Sequence, residues 1–251
     1  MPASLKYSVL LIFAAAVLFD GSEFNNYEDK TPNIYILWDS LLSRHVDSKG
    51  NVNYKAFKEQ EEDLEAYLQA MAEYIPDKNW SKAKTLAFYI NLYNAATVNL
   101  IIKNYPIKSI RDIKNPWGKK IVTQNGRLLS LGEIEHDILR KMDDPRVHFA
   151  INCASVSCPK LNNVAYSEKN LEEQLEKVSK EFILDPTKNI ISKDSVVLSK
   201  IFKWYKKDFE TNGSVLEYLN NYLNTPIAGD VKIAYLKYDW NLNNINPQSL
   251  D

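Results

Sequence analysis

Glycine is scarce in this chain, 7 in 251 residues, and cysteine, histidine and methionine are scarcer still at 2, 3 and 3. So little glycine, with no internal repeat, argues against a disordered or repetitive chain. Neither sign of charge is in excess: 31 basic and 32 acidic residues leave a formal net charge of −1. No global field is present to hold a polyanion, so nucleic acid is not an expected partner. What is abundant is apolar and aromatic: 45% hydrophobic residues, with 15 Tyr, 9 Phe and 5 Trp. That composition fits a helix-rich, well-packed core, and the length suits one large domain.

The N-terminus, MPASLKYSVLLIFAAAVLFDG, places Lys6 ahead of an apolar run from Tyr7 to Phe19. Its length fits the apolar core of an export signal better than a membrane span. Residues 1–21 are therefore expected to be an export signal or an N-terminal anchor, 22–32 a polar linker, 33–245 a single domain, and 246–251 a tail. The expected location is exported, periplasmic or cell-surface, or membrane-anchored through residues 5–19. In either case the segment engages export machinery or a membrane.

Within the domain, apolar spacing predicts helices over 33–45 and 60–74, which make residues 33–75 a helical first part, and an extended piece over 51–57. The longest helical pattern, 81–105, is capped by Ser81 and stopped by Pro106, and it has no polar side, so it is expected at the centre. On it Asn91 and Asn94 could reach a site, while Asn99 is expected to bind backbone. Asn125-Gly126 predicts a hairpin. From Ser130 a helix aligns Leu131, Ile134, Ile138 and Met142, and Glu135 projects into that apolar face. A carboxylate there must be paired, protonated or functional. Arg146 or Arg111 would be its purely structural partner. Further helices are predicted over 167–182, 201–209 and 214–223, the one over 201–209 with its lysines solvated, together with a hairpin over 189–198 and a strand over 231–238. The fold class is thus α+β, helix-rich, with a small, mostly antiparallel sheet expected to carry the site.

Four of the five Cys and His residues fall between His136 and Cys158. In DDPRVHFAINCASVSCPKL, Val147, Phe149 and Ile151 alternate with His148, Ala150 and Asn152, which reads as a strand ending at a turn holding both cysteines. On such a strand His148 and Cys153 have opposite parity and share a face only if it ends or bulges between them. A thiol, imidazoles and a buried carboxylate together point to a site.

The stretches FYINLYNAATVNLI (88–101), LSLGEIEHDILR (129–140), DPRVHFAINCASVSCPKL (144–161), LSKIFKWYKKDF (198–209) and YLKYDWNLN (235–243) resemble, in order and spacing, the family of domain of unknown function 547. The resemblance covers roughly residues 33–245. More loosely it implies relatives of the papain and transglutaminase-like thiol enzymes with a permuted chain order. The implied nucleophile is then Cys153, the base His136 or His148, and the orienting group Glu135 or an Asn. In that scheme Cys153 attacks an amide or ester carbonyl, His136 takes its proton, Glu135 holds the ring, and N–H groups around Ala154 and Ser155 receive the oxyanion. The chain departs from that class in one respect: its nucleophile follows a strand rather than opening a helix. The expected function is an exported thiol-dependent hydrolase or acyltransferase acting on a small-molecule, peptide or protein substrate, with no cofactor. Two other readings stand beside it. One is a non-catalytic surface module clamped by a Cys153–Cys158 disulfide; the other is a zinc site of Cys153, Cys158, His136 and His148.

Overall fold

The computed structural model describes residues 31–74 and 76–245. The expected export segment, most of the linker and the C-terminal tail lie outside them. Three helices open the described chain, α1 (Thr31–His45), α2 (Tyr54–Glu59) and α3 (Glu61–Glu73). α1 buries Trp38, Leu41 and Leu42, and Trp38 stacks on Tyr67 of α3 with centroids 5.2 Å apart. α3 starts with Glu61, Glu62 and Asp63, acids that suit the positive end of a helix. The extended piece expected over 51–57 is confined to a bridge at Val52. From Tyr54 the chain is helical, because Asn53 caps α2 by accepting from the Ala56 N–H.

Against α2 and α3 packs α4 (Lys82–Asn104), capped by Ser81, whose hydroxyl accepts from the Lys84 N–H. It is buried on nearly every side, so its polar side chains must bond inside the protein. Asn91 does so by donating to the Tyr166 carbonyl (2.7 Å) and accepting from the Tyr166 N–H (3.0 Å). The expectation for Asn99 is not met, and Asn94 reaches the cysteine loop through the loop's backbone. Asn91 and Asn94 bind backbone, whereas the Asn99 carbonyl oxygen has no protein partner.

A hairpin follows, β1 (Lys120–Gln124) and β2 (Arg127–Ser130), turning at Asn125 and Gly126 with φ of 49° and 69°. Ser130 and Glu133 form a capping box that starts α5 (Leu131–Glu133). The helical path then widens into a π turn over Ile134–Ile138 and tightens over Leu139–Met142. π turns are rare and gather at functional sites.

The stretch expected to be a strand is instead a helical turn, α6 (Val147–Ala150), which becomes extended only at Ile151. The alternation misled because the whole of 147–152 is buried and does not divide into an inner and an outer face. α7 (Leu171–Leu184) turns Leu171, Leu175, Val178 and Phe182 inward. β3 (Ile190–Ile191) pairs antiparallel with β4 (Val196–Leu198), and β4 pairs parallel with a later strand, β5 (Ile233–Tyr235). Between them lie α8 (Lys200–Trp204), α9 (Lys206–Phe209) and α10 (Val215–Asn220). The helix expected over 201–209 is therefore broken at Tyr205. Phe149 of α6, Phe182 of α7, Phe202 of α8 and Phe209 of α9 pack together, with centroids 4.8–6.4 Å apart.

After β5 the chain returns across the molecule. Val52 donates to the Asn243 carbonyl and Ile245 to the Val52 carbonyl, while Leu242 donates to Lys108. The result is the expected α+β, helix-rich architecture with a small sheet.

Candidate functional site

The sheet does not carry the site. A cavity of about 360 Å³ is lined by residues of α4, the π turn, α6, α8, the Cys-containing loop and the returning C-terminal segment, and by none from β1–β5. Cys153, Cys158, His136, His148 and Glu135 all line it. The parity conflict between His148 and Cys153 disappears, because the segment joining them is a helical turn and then extended.

The loop is fixed by side chains that replace regular secondary structure. Asn94 of α4 donates to the Ala150 carbonyl (3.0 Å) and accepts from the Asn152 N–H (2.8 Å). Asn152 in turn donates to the Pro159 carbonyl (2.7 Å) and accepts from the Ala154 N–H (2.8 Å), closing the turn around both cysteines. Ala154 takes a left-handed φ of 58° to make that turn. Val156 and Ser157 donate to the Asn241 and Asp239 carbonyls, so the loop and the C-terminal segment hold each other. The Ala154 N–H expected to receive an oxyanion is already engaged by Asn152.

Both cysteines are free thiols. Cys158 is buried, and its sulfur accepts from the Cys153 N–H at 2.9 Å. Cys153 is half-buried, and the hydroxyls of Ser155 and Tyr238 lie 3.2 and 3.3 Å from its sulfur. These groups lower the Cys153 thiol below its ordinary range: the hydrogen bond from Cys158 is the largest cause, burial opposes it, and Ser155 and Tyr238 add to it. Burial pushes Cys158 well above that range. The two thiols are therefore distinct, with Cys153 the readier thiolate.

His148 is 2% exposed, and its Nε2 lies 2.8 Å from Asp208 Oδ2 of α9. Its ring stacks on Tyr205 at 3.8 Å. An ionised Asp208 only accepts, so Nε2 carries the proton and Nδ1 is left as the acceptor, and Nδ1 has no protein partner. Arg140 holds Asp208 through two bonds, of 2.7 and 2.8 Å. That pairing, helped by His148, keeps the Asp208 carboxyl well below its ordinary range. Burial lowers the His148 pKa, and Asp208 offsets part of the effect.

His136, half-exposed, has its Nδ1 3.2 Å from Arg140 Nη1 and 3.9 Å from Glu135 Oε1. The guanidinium can only donate, so this Nδ1 accepts. Glu135 therefore does not orient the ring through a hydrogen bond. Instead Glu135, 4% exposed, accepts from Tyr205 Oη at 2.5 Å and Tyr93 Oη at 3.3 Å. Neither Arg146 nor Arg111 pairs with it; Arg146 binds Asp144 and Glu172.

Among the described residues, no group of three or more His, Cys, Asp and Glu side chains is arranged to hold a metal ion. Sequence reasoning missed Asp208, Arg140, Tyr205 and Tyr238. In the sequence, Tyr205 and Asp208 fall in a helix whose lysines look solvated and Tyr238 at the end of a strand, and neither pattern marks a site residue. No curated protein and no solved structure matches the chain. Residues 78–183, which include Glu135, His136, His148 and both cysteines, match the family described as "Protein of unknown function, DUF547".

Proposed function

We propose that this cavity performs thiol-dependent acyl transfer or hydrolysis, with Cys153 as nucleophile and His148, oriented by Asp208, as base and acid. The observation that carries the reading is the buried His148–Asp208 pair, whose free Nδ1 belongs to a ring lining the same cavity as the readier thiol. A thiol and an imidazole in one cavity, with a carboxylate bonded to the ring's other nitrogen, are the parts of a nucleophilic triad. In the reaction, the Cys153 proton passes to His148 Nδ1 and the sulfur adds to an ester or amide carbonyl. Collapse breaks the bond to the leaving group, which takes the proton from the imidazolium. Water, deprotonated by the same Nδ1, then cleaves the thioester. Asp208 stabilises the imidazolium throughout. The apolar run Tyr7–Phe19 supports delivery of this chemistry outside the cytoplasm.

The test is a burst experiment with p-nitrophenyl acetate, followed by peptide mass mapping. Acetylation is expected at Cys153 and not at Cys158. His148→Gln should slow it by roughly 10²-fold or more, and Asp208→Asn should slow it to a lesser degree. A burst that survives Cys153→Ala overturns the assignment.

A further inference from the structure

The cavity's wall and its charge are unbalanced in one direction. Trp117, Trp204, Tyr238 and Trp240 form one side: Trp204 lies 4.7 Å from Tyr238 and 5.7 Å from Trp240, and Trp117 meets Trp240 edge-on at 5.8 Å. Trp204 is 45% exposed although it belongs to this cluster. The Glu135 carboxylate lines the same cavity, and no lysine or arginine is among its described lining residues. Nearby cations are engaged elsewhere: Arg140 with Asp208, Arg111 over Trp240, and Lys188 with the Val156 carbonyl. A carboxylate has about four acceptor positions. Two phenols use two of them on Glu135, and the nearest basic atom found, His136 Nδ1, is 3.9 Å away. Arg140 acts on Glu135 only through space, and no described lysine or arginine bonds to the carboxylate, so part of its acceptor capacity is open to a ligand.

We propose that the cavity binds a compact organic cation, an ammonium or alkylated ammonium group, between the Trp204 face and the Glu135 carboxylate. Aromatic faces joined to a carboxylate are the chemistry that recognises such groups. Resting on the thiol reading above, the ligand is then the cationic portion of an acyl compound whose carbonyl reaches Cys153. The same geometry gives Glu135 a second effect. Its charge opposes ionisation of Cys153, and a cation seated beside it cancels that opposition. Substrate binding thereby sharpens the nucleophile.

Choline and ethanolammonium are the probes, 3,3-dimethylbutan-1-ol the neutral isostere of choline, and sodium chloride the ionic-strength control. Tryptophan emission of the wild-type protein should change saturably with at least one cation and not with the isostere or the salt. Glu135→Gln should weaken that binding roughly tenfold, and Trp204→Ala, at the exposed mouth, by several-fold. Unchanged far-ultraviolet circular dichroism will show that each variant is folded. The bound cation should also lower the pH midpoint of Cys153 alkylation in wild type and leave it unmoved in Glu135→Gln. No saturable response to either cation, or one that both variants leave intact, overturns the proposal. Cation binding beside an inert Cys153 would remove the thiol reading and keep this one; a reactive Cys153 indifferent to cations would do the reverse.

Discussion

Asn91 and Asn94 of α4 offer a matched pair of perturbations, because each clamps one peptide stretch through one donated and one accepted backbone hydrogen bond. Asn91 holds Tyr166, and Asn94 holds the segment that ends at Cys153. Both are at most 2% exposed. Replacing either by alanine leaves a buried carbonyl and a buried N–H unpaired, at about 1–3 kcal/mol for each group. The space left can admit a water that restores part of the bonding. A net loss of about 2–4 kcal/mol is expected for both variants, measured by urea unfolding. The two should separate at the thiol. Asn94→Ala loosens the anchor of the Cys153 turn, so the pH midpoint of Cys153 alkylation should rise toward the free value of about 8.5. Asn91→Ala should leave that midpoint where it is. Equal midpoints in the two variants would refute the view that α4 sets the reactivity of the thiol through Asn94. A loss below about 1 kcal/mol in both would refute the accounting of buried backbone groups.

Acid should weaken the fold through the His148–Asp208 pair. Both groups have folded pKa values below their unfolded ones, so their contribution is complete above the unfolded values of about 6.5 and 3.9 and is lost as pH falls through the folded ones. His45, also lowered by burial, acts with the same sign. The stability slope between about pH 7 and 5 should therefore shrink in His148→Phe relative to wild type without vanishing; an unchanged slope would show that His148 is not held neutral by burial. Gly50 has φ of 78°, and a Cβ there would lie 2.3 Å from Lys160 Cβ and 2.8 Å from the Leu161 nitrogen. Gly50→Ala should cost about 2 kcal/mol or more in urea unfolding, and a cost under about 0.5 kcal/mol would mean that this turn yields easily.

What was legible in the sequence was local. The apolar spacing of α4, the Asn-Gly turn, and the intrusion of Glu135 into an apolar face each depend on neighbours within a turn or two, and each is found where the pattern places it. The misreadings share a physical cause. Val147–Asn152 is buried all round, so alternation carries no information about its conformation. Asp208 sits among lysines in IFKWYKKDF and looks like part of a solvated face. Only the distant Arg140 and His148, 68 and 60 residues away, make it a site residue. The break at Tyr205, which turns its hydroxyl to Glu135, leaves no trace in the spacing of its neighbours.

The returning C-terminal segment also sets the order in which the site can be assembled. Tyr238, one of the hydroxyls at the Cys153 sulfur, lies 85 residues further along the chain, and Trp240 closes the wall of the same cavity. A chain made or threaded from its N-terminus holds α4, His148 and the cysteine loop well before these residues arrive. The nascent thiol thus lacks the Tyr238 hydroxyl, one of the groups that lower its pKa. Under the proposed thiol chemistry, the docking of this late segment is the arming step.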